Sequence, residues 1–236
     1  FDNFTTGKTI NYDPEYEKES GIKNPFEYYF SLKFKLEEKD IIYDQSKPSY
    51  FHPAVKYGNF NLSYKNIYSN IKKIFFETYD LKIEIKNFIE DYVSKNFEGF
   101  KVLGIHIRLR DFIKFNIHRG RDLNFFIKTA KKIIREKKID KIFISTDNMG
   151  AIKIFKDNFD DINILYLEDI FRVTEICNIS PIGENLNFDR KFHKYLLGEE
   201  VIKDTFILSK TDYLIKSHSS VSDFAILLTE TIKEVF

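Results

Sequence analysis

The amino-acid sequence predicts an α/β fold in which a parallel sheet is flanked by helices, and three observations support this prediction. Residues 102–107 form an almost unbroken apolar run, which is typical of a strand buried on both faces of a parallel sheet. Strand-like and helix-like patterns alternate after this run, as expected of βαβ units. The chain has 236 residues, of which 43% are apolar and 17% aromatic, so it can bury a large core.

The first part of the chain, residues 1–98, has a weaker pattern, and we predict that it forms an incomplete or reduced N-terminal region. Residues 1–24 are polar and have no regular period, which predicts a loop. A helix is expected to begin at Asn24, because the sequence Asn-Pro-Phe-Glu has the arrangement of a capped helix start. This helix opens the aromatic segment 26–34.

Two amphipathic helices are predicted between residues 64 and 93, with Asp80 available as the N-cap between them. The apolar residues share one face in each, namely Tyr64, Ile67, Ile71, Ile74 and Phe75 in the first and Leu81, Ile85, Phe88, Ile89, Tyr92 and Val93 in the second. Upstream, residues 41–43 are predicted to form a short strand. Residues 46–58 contain two prolines and a glycine and are predicted to form a loop.

The second part of the chain, residues 99–236, carries the regular alternation. The predicted elements are strands at 102–107, 141–146, 162–167 and 212–216 and helices at 122–137, 149–158, 199–209 and 221–235. Because this alternation requires crossover connections between parallel strands, we predict a Rossmann-like domain.

Composition excludes several classes of protein. The 37 Lys and Arg residues nearly balance 36 Asp and Glu residues, so nothing in the net charge of +1 favours nucleic acid or an anionic membrane as a partner. The single Cys177 forms no internal disulfide, and the sequence contains no membrane-spanning apolar run and no secretory leader pattern. We therefore expect a cytoplasmic protein, with peripheral attachment to the inner face of a membrane as the alternative. The chain begins at Phe1 and its one methionine is Met149, so we expect a piece of a longer protein.

Polar side chains follow three of the predicted strands, and the carboxyl ends of parallel strands share one edge of a sheet, where ligands bind. The first strand ends in His106, Arg108 and Arg110. Two guanidinium groups at this edge indicate an anion clamp. The alternative is that the strand reaches the surface there and its arginines are only solvated.

The second strand end carries Thr146, Asp147 and Asn148. The carboxylate of Asp147 is placed to accept hydrogen bonds from a nucleoside base or ribose. The alternative is ordinary capping of the helix that follows, because Ser, Thr, Asp and Asn are the usual N-cap residues.

The third strand end is rich in serine and leads into an apolar helix. Its serines are Ser217, Ser219, Ser220 and Ser222. Hydroxyl groups and free backbone N–H groups converge at such a helix start, which favours phosphate binding. The alternative is a helix cap with a polar turn. The sequence has no Gly-x-Ser-x-Gly motif, so a serine nucleophile is not predicted.

Metal binding has little support in the sequence. The acidic pair Asp160 and Asp161 lies in a turn away from the predicted ligand edge. The histidines do not form an i, i+4 pair; they are His52, His106, His118, His193 and His218. We therefore predict no metal site.

Three stretches in order, GIHIRLRD, IFISTDN and EVIKDTFILSKTDYLIKSHSSVSDFA, resemble the donor-binding half of the fucosyltransferase superfamily. This superfamily includes the α1,6-, nodulation, α1,2- and protein O-fucosyltransferases. The sequence NPFEYYF at residues 24–30 also resembles a segment of bacterial members, so the resemblance covers most of residues 24–230. It implies a GT-B-like, inverting transferase that needs neither metal nor cofactor. Its donor substrate would be GDP-fucose and its acceptor a glycan or glycoconjugate, with residues 1–98 as a remnant of the acceptor domain.

The resemblance also implies roles for individual residues. Arg108 matches the arginine that binds the donor β-phosphate, and His106 matches the histidine beside the nucleotide. Asp147 falls at the aspartate of the second motif. The serines of the third motif, by the phosphates, are Ser219, Ser220 and Ser222.

The first motif departs from the family pattern. Leu109 stands where the family has arginine or glycine, and Arg110 stands where a small residue is common. The α1,6-type enzymes carry a glutamate base shortly after this motif, and this chain has no glutamate there. The candidates for the catalytic base are therefore Asp111, His118 and Asp122.

Two other functions remain open at this point. One is a transferase that uses a different GDP-sugar. It remains open because no residue in the motifs identifies the sugar of the donor. The other is a catalytically silent Rossmann-like module that binds a nucleotide or a partner protein. The acceptor, the linkage and the oligomeric state are not predicted.

Overall fold

The computed structural model describes residues 12–33, 65–108, 122–173, 190–217 and 219–236. The helices within these ranges are α1 (Pro14–Ser20), α2 (Lys65–Thr78), α3 (Ile83–Phe97), α4 (Leu123–Lys137), α5 (Met149–Asn158), α6 (His193–Leu208) and α7 (Ser220–Leu228). The strands are β1 (Phe30–Leu32), β2 (Tyr79–Leu81), β3 (Val102–Ile107), β4 (Lys141–Thr146), β5 (Asn163–Leu165), β6 (Tyr213–Lys216) and β7 (Glu234–Val235). The predicted strand at 41–43 and the predicted loop at 46–58 lie outside the described residues.

Five parallel strands form the main sheet, in the order β5-β4-β3-β6-β7. The chain first adds β4 and β5 on one side of the central strand β3 and then adds β6 and β7 on its other side. The reversal falls between β3 and β6, and in open α/β sheets the crevice at such a point binds ligands. The predicted α/β fold with a parallel Rossmann-like sheet and flanking helices is confirmed.

Helices cover both faces of this sheet. On one face, α4 and α5 pack on β3 and β4 through a cluster that includes Leu103, Ile105, Phe126, Ile144 and Phe155. On the other face, α3, α6 and α7 pack through a cluster that includes Ile85, Ile89, Phe143, Phe206 and Ile226. All six residues of β3 are buried, as the apolar run predicted.

Close packing of α6 on the sheet depends on Gly104 in β3. A Cβ atom at this position would lie 2.6 Å from Thr211 Oγ1 and 2.9 Å from Leu208 Cδ1. The glycine therefore lets the C-terminal end of α6 and the turn before β6 approach the central strand closely.

The N-terminal part contains a helix that the sequence did not predict. Residues 14–20 form α1, whereas residues 1–24 were predicted to be loop. Asp13 caps this helix by accepting hydrogen bonds from the backbone N–H groups of Glu15 and Tyr16. Gly21 ends it in the left-handed conformation. The loop prediction was wrong because a helix of seven residues is too short to establish a period, although its start and stop signals are present.

Asn24 begins a shorter helix than predicted. Its side chain accepts a hydrogen bond from the backbone N–H of Phe26 at 3.0 Å, so it caps as expected. The helix is a single 3-10 turn, Pro25–Tyr28, and the chain then enters β1. Strand β1 pairs antiparallel with β2.

The predicted cap at Asp80 is wrong. Asp80 lies inside β2 opposite Ser31, and its carboxylate pairs with Lys33. Helix α3 begins three residues later and is preceded by Lys82, which makes no side-chain cap hydrogen bond. Pairing with β1 therefore determines the conformation at Asp80.

The ends of several elements differ from the predicted ones. Helix α6 begins at His193 rather than at residue 199, and β5 is limited to Asn163–Leu165. Helix α7 ends at Leu228, not at residue 235, because the chain is extended at Thr229. The Thr229 hydroxyl accepts hydrogen bonds from the backbone N–H groups of Thr231 and Ile232, and the chain then forms β7 beside β6.

No helix within the described residues is both long and apolar enough to cross a lipid bilayer.

Candidate functional site

A cleft of about 510 Å³ lies at the carboxyl edge of the sheet. The ends of β3 and β4, the start of α7 and one face of α6 surround it. The polar residues on its wall are His106, Arg108, Ser145, Thr146, Asp147, Glu200 and Asp204. This is the edge at which the sequence analysis placed the ligand.

Three polar side chains form a row across the sheet below the cleft. His106 of β3 lies between Ser145 of β4 and Lys216 of β6 in the register of the strands. Each is buried and has a partner, which is Ser217 for His106, Asp204 for Ser145 and Asp223 for Lys216. The row fixes the positions of α6 and α7 above the strand ends.

His106 is held as a neutral imidazole. Its Nδ1 lies 3.0 Å from the hydroxyl oxygen of Ser217. Burial, with the positive charges of Arg108 and Lys216 nearby, lowers the pKa of His106 to about 3. A neutral ring joins β3 to β6 at the point where the strand order reverses, without adding charge to the cleft.

Arg108 follows directly after β3 and lines the cleft with its side chain half-buried. The sequence prediction that this strand end delivers a guanidinium to the ligand edge thus agrees with its position. The other candidates of this segment, Arg110, Asp111 and His118, lie outside the described residues.

Asp122, the remaining candidate for a catalytic base, caps α4. Its carboxylate accepts a hydrogen bond from the backbone N–H of Phe125 at 2.8 Å, and the residue is exposed. It does not line the cleft.

At the end of β4, one residue caps the next helix and a different residue lines the cleft. Asn148 caps α5 by accepting a hydrogen bond from the backbone N–H of Ala151 at 3.2 Å. The backbone N–H of Asn148 in turn donates to Thr146 Oγ1. Asp147 lines the cleft and is not the N-cap, so capping does not account for its carboxylate.

The serines of the third strand end have different roles in the turn before α7. Ser219 is the N-cap and accepts from the backbone N–H of Val221 at 3.3 Å. Ser222 is fully buried, and its hydroxyl lies 2.9 Å from the carbonyl oxygen of Ser217 and 3.0 Å from that of Ser219. Ser220 is exposed at the first position of the helix. Ser217 and Ser222 therefore hold the turn in shape, while Ser219 and Ser220 lie at its open end.

Helix α6 brings two carboxylates to the cleft that sequence reasoning missed. Asp204 is 7% exposed, and Ser145 donates a hydrogen bond from Oγ to its Oδ2 at 3.0 Å. Burial raises the pKa of Asp204 to about 7, and the neighbouring Glu200 acts in the same direction. Arg172 and the Ser145 hydroxyl oppose this rise. Among the described residues, none donates a hydrogen bond to Asp204 Oδ1.

Two arginines organise the wall around these carboxylates. Arg190 donates from Nη1 to Glu200 Oε1 at 2.6 Å. Arg172 is buried, and its guanidinium donates to the carbonyl oxygens of Thr146 and Leu167, which ties the end of β4 to the chain after β5. The cleft wall is thus fixed by side chains rather than by loop backbone alone.

One signal in the sequence points to Asp204. The four residues that follow it in α6, Thr205 to Leu208, are all buried, so a carboxylate precedes a helical segment that faces the core on every side. An acidic residue in such a segment needs a partner or a function, since charged side chains are seldom buried without one. Its partner Ser145 is distant in sequence, and no local pattern identifies it.

The described residues contain no group of three or more His, Cys, Asp or Glu side chains placed to hold a metal ion.

No family model and no curated protein matches the chain. Solved structures similar to it include the NodZ α1,6-fucosyltransferase soaked with GDP-fucose, at 18% identity over 65% of this chain and 44% of that one, with a TM-score of 0.43. The fucosyltransferase NodZ from Bradyrhizobium is 16% identical over 68% of this chain and 46% of that one, with a TM-score of 0.43.

POFUT1 in complex with GDP-fucose is 9% identical over 72% of this chain and 48% of that one, with a TM-score of 0.46. The chain therefore spans less than half the length of the solved chain in each of these three structures.

Proposed function

We propose that this chain carries the donor site of a glycosyltransferase that uses GDP-fucose. The observation that carries the proposal is the set of charged groups on the wall of the cleft, which includes the guanidinium of Arg108, the start of α7 at Val221 and the buried carboxylates of Glu200 and Asp204. A nucleoside diphosphate has the complementary arrangement, with an anionic pyrophosphate at one end and a base with N–H donors at the other.

The phosphate end is formed by Arg108 and the start of α7. A guanidinium can bind two phosphate oxygens at once, and a helix N-terminus offers backbone N–H groups and a favourable dipole. Ser219 and Ser220 carry hydroxyl groups at this helix start, next in sequence to the cleft residue Val221. These groups can neutralise a departing pyrophosphate without a divalent ion, so we propose a metal-independent reaction.

The base end is formed by Asp204 and Glu200, one turn apart on α6. Guanine presents two adjacent donors on one edge, the N1–H and the N2 amino group, and a carboxylate can accept from both. Uracil presents a single N–H between two carbonyl oxygens, and adenine presents an amino group beside an acceptor nitrogen. The carboxylates thus support GDP rather than UDP or an adenine nucleotide. Asp147 is the candidate acceptor for the ribose hydroxyls.

Transfer would proceed by direct displacement with inversion. A base removes the proton from a hydroxyl of the glycan or glycoconjugate acceptor, and that oxygen attacks the anomeric carbon of the sugar. The bond between this carbon and the phosphate oxygen breaks, and GDP leaves with the electron pair while Arg108 stabilises its charge. Asp111 and His118 remain the candidates for the base, since Asp122 is engaged in capping.

The test of the proposed donor is calorimetric titration with GDP, GDP-fucose, UDP and NAD. We expect GDP and GDP-fucose to bind at least about tenfold more tightly than UDP or NAD, which corresponds to about 1.4 kcal/mol of selectivity. The variant Asp204→Asn should lose most of this selectivity, because an amide has only one acceptor atom. A preference of the unmodified protein for UDP or NAD would exclude GDP-fucose as the donor.

A further inference from the structure

We propose that Ser145 is a positioning residue that holds Asp204 in the orientation and charge state that the base of the nucleotide requires. The inference rests on the proposed function, because it assumes that a guanine nucleotide occupies the cleft. It adds a specific consequence, which is that nucleotide affinity changes with pH through a single buried carboxyl group and that Ser145 sets where this change occurs.

The geometry of the pair supports the positioning role. Ser145 is 3% exposed and lies in β4 beside His106 of the central strand, so the sheet fixes its backbone. Its hydroxyl has one proton, and it donates that proton to Asp204 Oδ2. With Oδ2 engaged, the carboxylate cannot rotate freely. Oδ1 has no donor among the described residues and Oδ2 keeps a second lone pair, so both oxygens can accept from guanine. Both Ser145 and Asp204 line the cleft.

The groups that face Asp204 explain why Ser145 also affects its charge. Glu200 on the same helix repels a second negative charge, and Arg172 from the segment after β5 attracts it. Tyr92 of α3 is also close, and burial raises its pKa, so it stays neutral. His106 carries no charge either, since its pKa is lowered to about 3. Within the described ranges, the only hydrogen bond to the Asp204 carboxylate comes from Ser145.

This environment places Asp204 near the midpoint of its titration at neutral pH, with a pKa of about 7. Two N–H donors of guanine require the ionised carboxylate, so a proton must leave Asp204 before the base binds. The affinity for GDP should therefore fall as the pH is lowered through 7, by about tenfold for each pH unit well below it.

Loss of the Ser145 hydroxyl has an effect that depends on pH. The variant Ser145→Ala removes a hydrogen bond that favours the ionised carboxylate, so the pKa of Asp204 rises further. At high pH the carboxylate is ionised in both proteins, and their affinities should be similar. At neutral pH the variant should bind GDP more weakly. A residue with a merely structural role would weaken binding equally at every pH.

The experiment is a calorimetric titration of GDP at several pH values from 5.5 to 9, with four proteins. These are the unmodified chain and the variants Ser145→Ala, Asp204→Asn and Ser209→Ala. Ser209 is the matched control, because it is also a buried serine but does not line the cleft, and its hydroxyl donates to Phe206 O at the C-terminal end of α6. Thermal unfolding at each pH establishes that every variant is folded under the conditions of the titration.

The expected result is three distinct curves, because the control Ser209→Ala should follow the unmodified chain. Affinity for GDP should fall below about pH 7 in the unmodified chain and in Ser209→Ala. In Ser145→Ala the midpoint should move to higher pH by about one unit, with affinity within twofold of the unmodified chain at pH 9. In Asp204→Asn the affinity should be lower, and the only pH dependence left should be that of the terminal phosphate of GDP, whose second pKa is about 6.

Contradictory results separate the inference from the proposed function. If the affinity of the unmodified chain for GDP shows no pH dependence beyond that of the GDP phosphate, or if Asp204→Asn retains the full pH dependence of the unmodified chain, the inference is wrong and the nucleotide site stands. A loss in Ser145→Ala that is equal at all pH values also overturns it. If the unmodified chain binds no GDP at any pH, both the inference and the proposed function fail.

Discussion

Arg108 is the residue on which the proposed chemistry depends most. It follows the central strand directly and lines the cleft beside the buried, neutral His106. Because a guanidinium can hold two phosphate oxygens and lysine offers a single point charge, the two side chains should differ in transfer more than in binding.

We predict that Arg108→Lys retains part of its affinity for GDP and loses most of its turnover, and that Arg108→Ala loses both. Removal of one charged stabiliser of a leaving group typically reduces the rate by about 10²–10³. GDP release and calorimetry measure the two effects separately. Arg135→Ala, on the exposed surface of α4, is the matched control and should leave both unchanged.

Arg110→Ala is expected to reduce turnover less than Arg108→Ala, because the family pattern places no arginine at that position. Near-normal turnover in Arg108→Ala together with its loss in Arg110→Ala would show that the predicted motif register is wrong and that Arg110, not Arg108, is the phosphate clamp.

Asp204 should reduce the stability of the fold at alkaline pH. Its pKa in the folded protein, about 7, is above the ordinary carboxyl value of 3.8. The folded protein therefore keeps a proton that the unfolded chain releases, and stability falls as the pH rises from about 4 to 7. Above pH 7 this cost is present in full.

The variant Asp204→Asn does not ionise and should unfold at a higher temperature than the unmodified chain at pH 8. The difference should shrink as the pH is lowered towards 4, because the unmodified Asp204 is then protonated as well. Calorimetric unfolding temperatures measured across this range test the sign. The control Asp157→Asn, exposed on α5, should show no such trend, and a lower unfolding temperature of Asp204→Asn at pH 8 would contradict the account.

For single residues, the sequence predicted the cleft residues that lie at the ends of strands and missed the cleft residues that lie within helices. His106, Arg108 and Asp147 come directly before or after a strand end, so the alternating pattern placed them at the cleft. Asp204 reaches the same cleft from the side of α6, and its partner Ser145 lies 59 residues away in the chain. Contacts of this range leave no local pattern in a sequence.

The turn between β6 and α7 shows how one element divides its work between structure and binding. Ser222 is fully buried and bonds to the carbonyl oxygens of Ser217 and Ser219. Ser220 is exposed one residue into the helix. The sequence predicted all of these serines as phosphate contacts, because a run of serines does not reveal which hydroxyls point inward.

We predict that one variant of this turn reduces stability and that another reduces the affinity for GDP. Ser222→Ala should reduce the free energy of unfolding by about 1 kcal/mol, because buried carbonyl groups lose a donor. That loss corresponds to a fall of about 2–4 °C in the unfolding temperature for a protein of this size. Ser220→Ala should unfold at the temperature of the unmodified chain but bind GDP several-fold more weakly. Unchanged GDP affinity in Ser220→Ala would place the phosphates elsewhere.

The same helix start bears on the need for a metal. If the N-terminus of α7 and Arg108 neutralise the pyrophosphate, turnover of GDP-fucose should persist in excess EDTA. Loss of turnover in EDTA that Mg²⁺ or Mn²⁺ restores would show that these groups are insufficient.

Among the elements, those that end in a clear change from apolar to polar residues were predicted well, and the shortest ones were missed. Strands β3 and β4 and helix α5 have the predicted boundaries, since an apolar run that ends in polar residues marks both ends. Helix α1 has seven residues and β7 has two, which is too few for a period to show. The conformation of the last residues is determined by the pairing of β7 with β6 and by the hydrogen bonds of Thr229. Both depend on the assembled sheet.

At the scale of the whole molecule, the fold joins distant parts of the chain around one sheet. Helix α3 and the residues Tyr28, Tyr29 and Phe30 belong to the same apolar cluster as α6 and α7. The Tyr29 hydroxyl donates to the carbonyl oxygen of Tyr195 at 2.9 Å across 166 residues of sequence. Gly198 permits this approach, since a Cβ there would lie 2.1 Å from the same hydroxyl.

The α/β class was predictable because alternation of strand and helix patterns is a property of the whole second half of the sequence. The packing of the N-terminal aromatic residues on α6 was not predictable, because it depends on which surfaces remain open after the sheet forms. The division into regions 1–98 and 99–236 stays a prediction.

The central claim is that the cleft holds GDP-fucose and that the protein transfers its sugar. The most direct test is an assay of GDP release from GDP-fucose across a panel of glycan and peptide acceptors, with mass spectrometry of the products. We predict GDP release that requires an acceptor, with one fucosylated product formed for each GDP and with loss of both in Arg108→Ala. No GDP release with any acceptor, from a protein that nevertheless binds GDP, would contradict the claim and favour a silent nucleotide-binding module.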